Sequence, residues 1–115
     1  VQRYFSCIDQ TLGLQLPLPD FANSNWHMFQ VLLPDDLDRG AFIAAMKAEG
    51  IGIGVHYPAL HLFSLYRAMG FKSGDFPQAE RIGAATVTLP LFPAMQDADV
   101  DRVCAALTKT RSLTL

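Results

Sequence analysis

No apolar run in this chain goes far before Pro, Asp, Asn or Gly interrupts it, and those interruptions limit the fold to short elements. Pro17, Pro19, Asp20 and Asn23 make LQLPLPDFANSN a connector. Pro34 ends the run WHMFQVLL, because proline removes a ladder donor. Gly50 and Gly70 close helical patterns, Pro77 suits a first helical turn, and Pro90 and Pro93 stop the next apolar stretch. No segment approaches the ~20 apolar residues of a membrane span. A chain of 115 residues, half of them apolar, is therefore expected to build one core from short helices and strands.

The residue periods assign those elements. Val1, Phe5, Ile8 and Leu12 recur at helical spacing with no capping residue before them, so the chain reads as opening inside a helix and as cut from something longer. Trp26–Leu33 alternates as a strand, with Phe29, Val31 and Leu33 on one face. Asp35 is expected to cap a helix over 36–49, with Asp38 in its first turn and a stripe of Ala41, Phe42, Ala45 and Met46. Ile51–Val55 reads as a short strand. Leu62, Leu65, Tyr66 and Met69 mark a short helix, and Pro77 to about Gly83 another, with Ala79 and Ile82 inward. Thr86–Leu89 has strand composition. Asp97 is expected to cap a last helix over 97–109, with Val100, Val103, Cys104 and Leu107 inward and Lys109 and Arg111 near its negative end. The fold class is α+β: a small sheet of about three strands, near 27–33, 51–56 and 85–89, with helices packed on it.

Charge and cysteines narrow the partners. A net charge of −2 with no basic cluster argues against nucleic acid or an anionic membrane surface. The opening VQRYF has neither the basic end nor the apolar block of a signal peptide. Cys7 and Cys104 lie far apart, each within an amphipathic pattern, and read as two reduced, buried thiols of a cytoplasmic protein; their spacing gives a disulfide no support.

The chemistry-bearing stretch is GIGVHYPALH, residues 52–61. Alternation puts Gly52, Gly54 and His56 on one face, almost bare of side chains, so a chain segment or a ligand must approach that backbone. Metal binding by His27, His56 and His61 lacks the usual short ligand spacings. There is no Gly-x-Ser-x-Gly elbow, no Walker pattern and no complete dinucleotide fingerprint. Two readings of His56–Tyr57 stay open. Either the pair hydrogen-bonds the backbone and covers the glycine face, or imidazole and phenol act as donors to an anionic or hydroxyl-rich ligand.

The order of motifs resembles a known family. A helix ending in Gly50-Ile51, then His56-Tyr57-Pro58 with His61, then Pro77, Ala79 and Glu80, then Leu89-Pro90 with Pro93 before a last helix, is similar to the end of the DegT/StrS-type nucleotide-sugar aminotransferases. WHMFQV and the helix start at Asp38-Arg39 look like their counterparts too. The resemblance implies the C-terminal small domain of a pyridoxal-phosphate enzyme of the aspartate-aminotransferase fold. Residues 1–13 would end the inter-domain helix and 14–115 would form the small domain. It further implies a missing N-terminal large domain carrying the cofactor lysine, a homodimer, and amino transfer from an amino acid such as glutamate to a nucleotide-linked keto-sugar. His56 and Tyr57 would bind that substrate, while His61, Gly52 and Gly54 shape the loop or join in binding. Glu80 is read as structural. Lys47, Lys72 and Lys109 have no cofactor context, so no catalytic residue is expected in this chain, and alone it should be inactive. The alternatives are a dehydratase of the same family and a stand-alone α+β interaction module.

Overall fold

The computed structural model describes residues 1–113. Its sheet is an antiparallel pair, β1 (Phe29–Leu32) and β2 (Thr86–Leu89), with Phe29 opposite Leu89 and Val31 opposite Val87. These four are buried and form the sheet's contribution to the core. Gln30 opposite Thr88 and Leu32 opposite Thr86 take the other face.

The expected third strand over 51–56 is reduced to one bridge, Gly54 with Thr88. Gly54 N–H donates to Thr88 O at 3.1 Å and Thr88 N–H to Gly54 O at 2.8 Å. β2 offers only four residues, and the glycines bring no side chains to a longer ladder. A matching bridge, Gln15 with Leu32, covers the other edge. The class remains α+β, with two strands rather than three.

The helices cover the core face. α5 (Asp97–Leu113) buries Val100, Val103, Cys104 and Leu107, as its spacing predicts. α2 (Arg39–Ala48) buries Phe42 and Met46, while Ala41 is exposed. Its N-cap is Asp38, which accepts from Ala41 N–H at 2.7 Å, and not Asp35. Residues 34–37 form a turn closed by Leu37 N–H to Pro34 O at 3.1 Å, and Leu37 is buried, so the helix starts a turn later than expected. Gly50 follows α2 with φ +75°, the left-handed closure its position predicts. At α5 the capping carboxylate is Asp99, accepting from Gln96 N–H at 2.8 Å, while Asp97 is the first helical residue. Near the end of α5, Lys109 pairs with Glu49 and Arg111 with Asp36.

The first helix is shorter than its pattern. α1 spans Gln2–Cys7, and a 3₁₀ turn follows over Gln10–Leu12. Asp9 accepts from both the amide and the hydroxyl of Thr11 at 2.8 Å, a local alternative to the helical ladder that breaks the backbone there. Ile8 and Leu12 are buried nonetheless. Tyr4 is fully buried, donates to Pro90 O at 2.6 Å and stacks on Phe29 with ring centroids 4.7 Å apart; burial raises its pKa.

The cysteines are not free. Cys7, at the end of α1, and Cys104, on the core face of α5, are joined in a disulfide with Cα atoms 6.1 Å apart. Two patterns that each point into one core bring the sulfurs together across a separation of 97 residues, which spacing cannot reveal.

Between the bridge at Gly54 and β2 lie a 3₁₀ turn (Leu60–Leu62), α3 (Ser64–Ala68) and α4 (Pro77–Ala85). Here the expected stripes fail: Leu65, Met69, Ala79 and Ile82 are exposed. The residue α4 buries is Gly83, whose Cα side lies so close to the chain at 58–59 that an added Cβ would sit 2.5 Å from Ala59 N.

Candidate functional site

The open face of the sheet positions the histidine loop. β1 and β2 direct Gln30 and Thr88 away from the core, side by side. Gln30 donates its side-chain amide to the His56 carbonyl. His56 Nδ1 lies 2.9 Å from Thr88 Oγ1. The His56–Tyr57 peptide is cis. The imidazole also lies over Gly54: a Cβ there would stand 2.7 Å from His56 Cε1 and 3.3 Å from Nδ1. What approaches the bare backbone at Gly54 is therefore the neighbouring histidine itself. Gly52 has nothing within 4 Å of its Cβ position and is open.

His56, Gly52 and Gly54 line a cleft of about 330 Å³ together with His27, Thr88 and the 89–91 segment. Tyr57 lies outside that lining, 64% exposed, with its ring edge-on to His56 at 5.0 Å. Two imidazole-bearing residues, His27 and His56, and a glycine backbone thus line one open depression, with Thr88 beside them. Such a surface can receive an anionic or hydroxyl-bearing ligand.

His61 is placed elsewhere. It is buried, 2.9 Å from Glu80 Oε1 through Nε2, and edge-on to Phe76 at 5.0 Å. Glu80 also accepts from Gly74 N–H at 2.7 Å and from the Ser73 hydroxyl at 2.8 Å. These bonds, the one to His61 first, lower the Glu80 pKa to about 2. The pair ties the 72–76 loop to the turn after Pro58, so His61 shapes the region without entering the cleft.

Gln30 and Thr88 were the residues sequence reasoning missed. The available signal is alternation: each is a polar residue at an off-core position of its strand, Gln30 alone in β1 and Thr88 with Thr86 in β2. His27, considered there only as a metal ligand, joins His56 in the cleft wall. Among the described residues no group of three His, Cys, Asp or Glu could hold a metal. Lys47 and Lys72 are exposed, and Lys109, 60% exposed, pairs with Glu49 at 2.6 Å. Among the described residues no helix is long and apolar enough to cross a membrane.

These features define a small α+β domain with a histidine-lined cleft on the face of its sheet away from the core. The chain belongs to the DegT/DnrJ/EryC1/StrS aminotransferase family, whose sequence model matches residues 2–108. It is similar to the spore coat polysaccharide biosynthesis protein SpsC of Bacillus subtilis, 37% identical over 112 residues, covering 91% of this chain and 28% of that protein. Among solved structures it is similar to the aminotransferase TlmJ of Streptoalloteichus hindustanus, with 28% identity, a TM-score of 0.82, and coverage of 99% of this chain and 30% of that one. The PLP-form of Spr1654 from Streptococcus pneumoniae shares the fold at 23% identity and a TM-score of 0.89, again covering 99% of this chain and 30% of that one. The chain spans less than a third of the length of these relatives.

Proposed function

We propose that this chain is the C-terminal small domain of a pyridoxal-phosphate-dependent sugar aminotransferase, with residues 1–13 ending the inter-domain helix. His56 and Tyr57 bind the diphosphate or sugar of a nucleotide-linked keto-sugar. The observation that carries the reading is the His56 ring, fixed against Thr88 and Gly54 at the wall of an open cleft. Family membership supports the reaction class, and the short coverage of the relatives supports a cofactor-bearing large domain outside these residues.

Pyridoxal phosphate, when bound there, would supply the electron sink for amino transfer. No lysine of this chain is placed to hold it. This chain's residues bind and orient the sugar substrate. An amino acid such as glutamate serves as donor, the full protein is a homodimer, and the compartment is the cytoplasm. The disulfide withdraws the support that free thiols would have lent to that location. A dehydratase of the same family would use the same loop, since the residue that separates the two lies outside this chain.

The test uses the full-length parent with its two half-reactions measured separately. His56→Ala or Tyr57→Phe should weaken nucleotide-sugar binding roughly ten- to a hundred-fold, as for loss of a hydrogen bond to a charged phosphate worth about 1.5–3 kcal/mol. The amino-donor half-reaction should change little. Equal damage to both half-reactions, with a lowered melting temperature, would assign the pair to packing instead.

A further inference from the structure

We infer that Thr88 is a positioning residue for His56, its hydroxyl holding the imidazole as the tautomer that presents Nε2–H to the cleft. This deepens the substrate-binding reading of His56 and rests on it for its effect on affinity.

The geometry supplies the argument. Thr88 is fixed at both backbone positions by its bridge to Gly54. Its side chain must leave the sheet on the open face, opposite Gln30. There Oγ1 meets His56 Nδ1 at 2.9 Å. Among the described residues this is the only side-chain hydrogen bond of either group. If Nδ1–H donated to Oγ1, the threonine's own proton would have no protein acceptor, and Nε2 of a cleft-lining ring would carry a lone pair in place of a donor. If the hydroxyl donates to Nδ1, its proton is satisfied and Nε2 carries the N–H. Gln30 fixes the other end of the residue through the His56 carbonyl, and Gly54 leaves the space the ring occupies. The imidazole is then a neutral donor, suited to a phosphate oxygen without needing protonation.

The experiment is two-bond ¹H–¹⁵N correlation of the chain labelled in its histidine rings, at about pH 8, above the ordinary imidazole pKa of about 6.5. His56→Gln assigns the signals. His56 should show the Nε2–H pattern in the wild type and in Thr88→Ser, and a mixture of tautomers in Thr88→Val. A wild-type His56 in the Nδ1–H form, or a Thr88→Val spectrum identical to wild type, overturns the proposal. The wild-type result needs no variant, so a misfolded Thr88→Val leaves the proposal open to refutation. Uridine diphosphate is then titrated as a probe. Its binding should shift the His56 signals and weaken roughly three- to tenfold in Thr88→Val but not in Thr88→Ser. The tautomer result together with no His56 response to the probe would keep Thr88 as the residue that sets the ring and remove His56 as the diphosphate donor.

Discussion

At the scale of single residues, Gly52 and Gly54 look alike in the sequence and are opposites in space. A methyl group at Gly54 would meet the His56 ring at 2.7 Å, and a side chain held by one hydrogen bond yields before the backbone does. Gly54→Ala should therefore push His56 off Thr88, changing the His56 ring signals and lowering nucleotide-sugar affinity while the melting temperature falls only modestly. Gly52→Ala meets open space and should leave stability within about 0.5 kcal/mol. Comparing thermal melts with histidine NMR for both variants checks the contrast. Glu80 gives a second expectation. Its pKa in the fold, about 2, lies below the ordinary 4.5. Its contribution is thus complete above that ordinary value and fades as the pH falls through about 2. The protection of amides 73–76, taken relative to the intrinsic exchange rate at each pH, should hold down to about pH 4 and fall toward pH 2; Glu80→Gln should weaken that dependence, most at Gly74. The sequence implies a cover over the Gly52–Gly54–His56 face, and the structure supplies one over Gly54 alone, leaving Gly52 open. The sequence could not say that the cover was His56 itself, because alternation fixes a face and not a rotamer.

At the scale of elements, polar and apolar periods read well wherever the element packs on the central core. α5 buries the four residues its spacing selects, and Phe29, Val31 and Leu33 all face inward. They read badly between residues 60 and 85. There Leu65, Met69 and Ile82 have helical spacing but no layer to bury them, so their stripe faces outward. Capping was half legible, since α2 follows three aspartates and α5 starts with two in its first turn, and only the fold selects among them. Asp38→Ala should cost about 1 kcal/mol, as a lost cap does, whereas Asp35→Ala should stay within about 0.5 kcal/mol. Gly83 poses a harder constraint, since the atoms a Cβ would strike, Ala59 N at 2.5 Å and Pro58 C at 3.1 Å, are backbone. Gly83→Ala should destabilise by about 1–3 kcal/mol and displace the 58–59 segment that follows the His-Tyr pair. Chemical denaturation of the three variants ranks them. A Gly83→Ala protein as stable as wild type would show that α4 does not press on that segment.

At the scale of the whole molecule, the disulfide is the covalent tie, and it joins the two residues that the sequence presents as separate reduced thiols. Each pattern was correct by itself: Cys104 sits in the buried stripe of α5, and Cys7 ends a helix whose apolar face docks on the same core. What the sequence lacked was the crossing of α1 and α5, which the Arg3–Asp101 pair, at 2.7 Å, also fixes from the surface. That crossing allows a quantitative expectation. Closing a loop across 97 residues removes denatured-chain entropy worth about 4–5 kcal/mol in the chain-entropy account. That is a large share of the roughly 5–15 kcal/mol that stabilises a typical domain. Reduction should therefore lower the melting temperature by more than about 10 °C, given roughly 4–8 °C per kcal/mol for a domain of about this size. Cys7→Ser with Cys104→Ser should melt near the reduced wild type and ignore reductant, since neither has a cross-link and the double variant has no thiol to oxidise. Mass spectrometry of the alkylated, unreduced chain counts the thiols independently. Two alkylated cysteines and a melting curve indifferent to dithiothreitol would show that α1 is held to α5 by packing and the surface ion pair alone.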